Sequence, residues 1–213
     1  TVNKSITVQA NGAVILQSPS PRNGTALDIA CSNCTVTGFT FVDFGWAVGG
    51  PNSPTRSNVT IRNNVFRRSG TVWIEGTNWL FEGCEIDRPM VGGQPAGIED
   101  FMNVWGSNHT IRRSFFHGLQ LYGDIPVGAH TDCIQMFNVG NSSREVLRDV
   151  VIEENIFTDF VQGVHITNDA NGSPSPISNI TVRNNIFWGV DFVTTGWNGG
   201  PAHEVLFRNH IPG

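Results

Sequence analysis

The chain has 213 residues, 39% of them hydrophobic and only 15% charged, so it can bury a sizeable core within one architecture. Its formal net charge is −5 and Lys4 is its only lysine, which leaves no basic tract to neutralise successive phosphates and argues against nucleic acid as a partner. No apolar run approaches the roughly 18 to 20 residues of a membrane span, and 24 Gly, 14 Phe and 11 Pro favour strands and turns over helices.

The N-terminal TVNKSITV has neither the basic nor the apolar region of a signal peptide, so the chain reads as mature or trimmed. A nine-residue unit, Asn-x-x-apolar-x-x-Asn-x-Phe in outline, then recurs seven times. In chain order, ALDIAC from Ala26 leads into NCTVTGFTF from Asn33, and NVTIRNNVF from Asn58 follows. TVWIEG from Thr71 leads into NWLFEGCEI from Asn78, and MNVWG from Met102 into NHTIRRSFF from Asn108. DCIQMF from Asp132 precedes DVVIEENIF from Asp149, GVHITN from Gly163 precedes NITVRNNIF from Asn179, and FVTTG from Phe192 precedes HEVLFRNHI from His203.

The spacing between units varies while the unit does not, so each repeat is a fixed coil with a loop of free length. Repeats this short leave no room for crossover helices between parallel strands. The expected fold is therefore all-β, a single-stranded right-handed parallel β-helix of about seven coils forming one domain over 1–213. Within the unit, alternation turns positions two and four inward. Position four is always apolar, and position nine is Phe or Ile. Position seven is often Asn, suited to a turn whose amide bonds the next coil. Position five runs Arg62, Glu82, Arg112, Glu153, Arg183, an outward ladder of alternating sign.

Cys31, Cys34, Cys84 and Cys133 show only one short spacing, CSNC, with no second pair to complete a zinc site; Cys31 and Cys34 are either bridged or free thiols. Asn-x-Ser/Thr sequons begin at Asn3, Asn23, Asn33, Asn58, Asn108, Asn141, Asn171 and Asn179. Those inside the units are turn residues first and glycan acceptors second. His109, His203 and His210 fall in the repeat frame and read as structural.

The strands that precede the units carry the chemistry. With Leu27, Ile29, Val72, Ile74, Met102, Val104, Ile134, Met136, Val164 and Ile166 inward, the outward column reads Asp28, Trp73, Glu75, Asn103, Trp105, Cys133, Gln135, His165, Thr167 and Thr194. Strands ~4.8 Å apart make about five coils a surface of ~20 Å, enough for several sugar rings, and flat Trp faces suit the C–H face of a sugar. The bland alternative is that the long connections 88–101 or 117–131 cover the tryptophans. A further long connection spans 138–148. One of these loops brings Tyr122, Asp124 and His130 to Asp132, and neighbouring turns bring Arg67, Arg68, Asp87, Arg88, His117, Asp159 and Asp191 to the same edge.

The run HTDCIQ, followed about thirty residues on by QGVHITND, resembles the Asp-containing strands of the pectate-lyase-like β-helix superfamily, in particular its secreted members. That resemblance implies a secreted, carbohydrate-active protein, a polysaccharide lyase or a glycoside hydrolase, with a polysaccharide or oligosaccharide in a groove along one parallel sheet. The chain differs from polygalacturonases in having no Asp-Asp pair and in carrying Gly163-Val164-His165 in place of Gly-His-Gly. Hydrolysis needs two carboxyl groups, which Asp132 with Asp159 or Asp169 would supply. β-Elimination beside a uronate needs a base, His130 or His165, and a neutralising cation, either Arg88 or a calcium ion held by Asp124 and Asp132. Tyr122 would then donate a proton, while Trp73, Glu75, Asn103, Trp105, Gln135 and Thr167 would bind substrate. The competing expectation is a non-catalytic carbohydrate-binding module, adhesin or filament element. The last unit ends at HIPG with no polar cap, which implies a trimmed chain or ends stacked on another subunit.

Overall fold

The computed structural model describes residues 1–21, 23–49, 55–87, 100–118, 132–139, 147–158, 162–169, 177–188 and 205–207. Residues 137–139, 162, 167–169 and 205–207 are described by backbone alone. In chain order the strands are β1 (Thr7–Gln17), β2 (Asn23–Leu27), β3 (Cys34–Val42), β4 (Phe44–Val48), β5 (Arg56–Arg62) and β6 (Val65–Arg67). There follow β7 (Val72–Glu82), β8 (Glu85–Asp87), β9 (Met102–Arg112), β10 (Phe115–His117), β11 (Asp132–Val139) and β12 (Arg148–Glu153). The last are β13 (Ile156–Thr158), β14 (Gln162–Asp169), β15 (Ser178–Arg183), β16 (Ile186–Trp188) and β17 (Val205–Phe207). Among the described residues there is no helix, and eleven parallel strands travel 321° round one axis. The chain is a parallel β-helix.

Position four builds the core column. Val36 lies in register with Ile61, Ile61 with Phe81, Phe81 with Ile111, Ile111 with Ile152, and Ile152 with Val182. Position nine builds a second column on the short strands, where Phe41 stacks on Phe66 at 5.3 Å, Phe116 on Phe157 at 4.9 Å and Phe157 on Phe187 at 4.8 Å. Ile86 sits in register between Phe66 and Phe116. From Val36 to Ile152 and from Phe41 to Phe157 both columns are buried, each residue covered by neighbouring coils as well as by the opposite wall, while Val182 and Phe187 at the end are partly buried.

The polar positions satisfy the turns. At position one, Asn33, Asn58, Asn78, Asn108, Asp149 and Asn179 all have φ between 54° and 59°, a left-handed bend that Asn and Asp tolerate best. Their side chains form a ladder in which Asn58 donates to Asn33 and Asn78 to Asn58 at 2.7 Å, and Asn179 donates to Asp149 at 2.6 Å. At position seven, Asn64, Asn155 and Asn185 point inward, and their amides donate to the carbonyls of Val36, Ile111 and Ile152. Asn185 Oδ1 in turn accepts from the Asn155 amide at 3.0 Å. Position five pairs at two of its four steps, Arg112 with Glu82 at 2.8 Å and Arg183 with Glu153 at 2.7 Å. All four cysteines are free thiols.

A third sheet face is made by β2, β4, the first halves of β7 and β9, β11 and β14. Its inward row is Leu27, Val48, Val72, Met102, Ile134 and Val164, each in register with the next. The segment FGWAV, which does not alternate and was not predicted as a strand, forms β4 and fills the place between β2 and β7. β7 and β9 run unbroken from this face into the unit, turning at Gly76 (φ 122°) and Gly106 (φ 98°). A Cβ on Gly76 would lie 2.0 Å from the Arg56 carbonyl oxygen, and one on Gly106 1.9 Å from that of Gly76, so only glycine lets the coils close up at this corner. The seventh unit departs from expectation: β17 does not extend the position-four column but pairs antiparallel to β14, Leu206 opposite His165.

Candidate functional site

The outward side of this third face gathers the predicted residues. Trp73 is in register with Asn103, Asn103 with Gln135, and Gln135 with His165, which makes one row across β7, β9, β11 and β14. One step along, Glu75 is in register with Trp105, and the backbones of Phe137 and Thr167 continue that row. The alternation that sends Val72, Ile74, Met102 and Val104 into the core fixes these residues on the opposite side.

The aromatic part is a wall of three indoles. Trp73 and Trp105 lie 4.2 Å apart between ring centroids, and Trp46 meets Trp73 edge-on at 5.9 Å. Trp73 Nε1 donates to Glu75 Oε2 at 2.9 Å. The expectation of open tryptophans is corrected here, since Trp73 is 4% and Trp105 1% exposed. The two rings pack on each other, and Glu75 accepts the Trp73 N–H. Cys133, expected in the outward column, is also fully buried and belongs to the core cluster, and burial holds its thiol well above the ordinary value. Trp46 was missed with β4; its signal is an aromatic beside Gly45, where Gly70 stacks so closely that a Cβ would meet the Gly45 carbonyl.

The polar part centres on Asp132 and His165. Asp132 is fully buried and its Oδ2 lies 2.8 Å from His165 Nδ1, so His165 donates its Nδ1–H to the carboxylate and Nε2 becomes the basic nitrogen of the ring. Asp132 opens β11, where strict alternation does not yet bind it, and its carboxylate reaches across to β14. Its backbone N–H points at Asp100 Oδ1 at 3.4 Å, and its carbonyl accepts from Phe101 N–H at 3.0 Å. Thr71 Oγ1 donates to the Asp100 carbonyl at 2.6 Å, tying the entry of β7 to the same junction. Asp100 and Thr71 were not singled out from sequence.

Asn103 stands between the indoles and this pair. It is 1% exposed, and neither its Oδ1 nor its Nδ2 has a hydrogen-bond partner. The same β9 carries His109 on its inner side, a structural residue as expected. Its Nδ1 accepts from Trp79 N–H at 3.2 Å and its Nε2–H donates to the Trp105 carbonyl at 2.9 Å. Burial pushes its pKa down to about 4 despite the Trp105 carbonyl, so it is neutral near pH 7.

Several residues assigned to the same edge are engaged elsewhere. Arg67 binds Asp87, Arg68 binds Asp43, and His117 binds Glu85 at 2.9 Å and stacks on Phe115. His130, Asp159, Arg88, Tyr122, Asp124 and Asp191 lie outside the described residues, and so do the loops 88–99 and 119–131. Among the described residues no trio of His, Cys, Asp or Glu is grouped to hold a metal ion, and no helix is long and apolar enough to cross a membrane.

No family model, curated protein or solved structure matches this chain. The site's geometry and the sequence resemblance therefore carry the functional reading.

Proposed function

We propose that this chain is a secreted carbohydrate-active protein of the pectate-lyase-like kind, which holds a polysaccharide along the third sheet face and cleaves it with Asp132 and His165 as its proton-transferring pair. The observation that carries the reading is the buried 2.8 Å Asp132–His165 bond set one strand beyond Asn103 and the Trp73–Trp105 pair. A buried carboxylate is costly unless paired, and this one is spent on fixing the tautomer and aim of an imidazole. Nε2 is then suited to take a proton from a sugar C5 in β-elimination or from water in hydrolysis. Hydrolysis would enlist Asp159 or Asp169 as the second carboxyl group.

The test is incubation with neutral and acidic polysaccharides, with and without calcium, following both reducing ends and the ultraviolet absorbance of unsaturated products. Cleavage that disappears in Asp132→Asn supports the reading; full activity in that variant on a substrate the wild type cleaves moves the chemistry elsewhere. A second reading is a non-catalytic β-helix that binds glycan or another subunit. It is favoured by the exposed apolar row Phe115, Ile156 and Ile186 on successive short strands, with Trp188 beside it at 69% exposure. Glycan binding without any product, or association through that row, would establish it.

A further inference from the structure

Among the described side chains of this face, the amide of Asn103 has an unspent hydrogen-bonding capacity. Both polar atoms are buried without partners, although the fold has satisfied comparable inward amides at Asn64, Asn155 and Asn185 with carbonyls and backbone N–H groups. An unsatisfied buried amide is a standing cost to the free protein, and a nonpolar side chain of the same volume would remove it. Its position is equally specific: in register with Trp73 on one side and Gln135 on the other, on the face opposite Met102 and Val104.

We infer that Asn103 is the specificity-determining residue of this face, and that it selects a neutral sugar over a uronate at the position it meets. The inference rests on the carbohydrate reading above and deepens it. An amide offers one acceptor and two donor hydrogens in a single plane. Neighbouring sugar hydroxyls, or the acetamido group of an N-acetylated sugar, present a donor and an acceptor together and satisfy both ends. A uronate carries an acceptor-only carboxylate in place of the neutral sugar's hydroxymethyl group, so where that group faces the amide it would engage Nδ2 and leave Oδ1 buried with no donor. Sites built to bond a polar substrate group discriminate strongly against a ligand that leaves one of their atoms unpaired.

The experiment compares wild type and Asn103→Leu for binding of neutral hydroxyl-only oligosaccharides, N-acetylated oligosaccharides and oligogalacturonates of equal length, by calorimetric titration, alongside thermal melting without ligand. The expected result is that one of the two neutral ligands binds wild type at least tenfold more tightly than the oligogalacturonate. Asn103→Leu should lose at least tenfold of that affinity, while its melting midpoint stays level or rises. Oligogalacturonate binding as tight as the neutral ligands would overturn the inference and leave the carbohydrate reading standing. Unchanged affinity in Asn103→Leu, or a fall in its midpoint, would likewise overturn it, since the amide would then be structural. If wild type bound no oligosaccharide of any class, the carbohydrate reading itself would fall and the inference with it.

Discussion

At the scale of single residues, two histidines on β14 and β9 show how the environment decides a role. His165 is paired through Nδ1 with a carboxylate on the outward face, whereas His109 is enclosed among backbone groups on the inward side. The His109 pKa of about 4 lies below the value of about 6.5 of an unfolded histidine, so between these two pH values the unfolded chain binds the additional proton. Stability from this group is complete above pH 6.5 and falls as the pH drops towards 4, by roughly 3 kcal/mol in all. Urea unfolding across that window should show the loss in wild type and a flatter profile in His109→Gln. Asp132→Asn keeps an acceptor for His165 Nδ1–H but removes the charge that stabilises a protonated ring. It should abolish cleavage while moving the melting midpoint by only a few degrees.

At the scale of strands and turns, the unit was legible because its chemistry repeats. An inward residue at position four must be apolar in every coil, and a left-handed first position favours Asn in every coil, so both stand out in one sequence. Position six escaped notice although it is also left-handed throughout, at Gly38, Asn63, Gly83, Arg113, Glu154 and Asn184. Side chains there point to solvent, so Arg113 and Glu154 meet the backbone demand and instead bond each other at 2.7 Å. FGWAV escaped for another reason: its apolar residues do not alternate with polar ones, and the strand is half-buried at Phe44 to Trp46 and buried at Ala47 and Val48. Three substitutions test this level. Ile152→Asp places a carboxylate in the dry column and should cost several kcal/mol or prevent folding. Arg112→Ala removes a partly exposed ion pair and should change denaturant stability by about 0.5 kcal/mol or less. Gly106→Ala should destabilise by about 2 to 5 kcal/mol, combining overpacking against the Gly76 carbonyl with left-handed backbone strain.

At the scale of the whole molecule, the sequence by itself determined the all-β coil. Copies of one unit cannot bury their apolar positions singly, and stacking them in parallel puts the position-four residues from Val36 to Val182 under their counterparts. Circular dichroism should accordingly show strand signal without helix, and hydrogen exchange should be slowest at Ile61, Ile111 and Ile152, whose side chains are sealed on every side. What only the tertiary structure decided is how coils far apart in sequence meet. Asp132 and His165 are 33 residues apart, and only the register of β11 with β14 brings their side chains to bonding distance. The enclosure of Trp73 and Trp105 likewise depends on ring positions in successive coils, and the reversal of β17 against β14 depends on a pairing that a single repeat unit does not encode. Periodicity reports which side of a strand a residue occupies. Distances across coils depend on the register between strands and on the length of each loop, and neither is written in the unit itself.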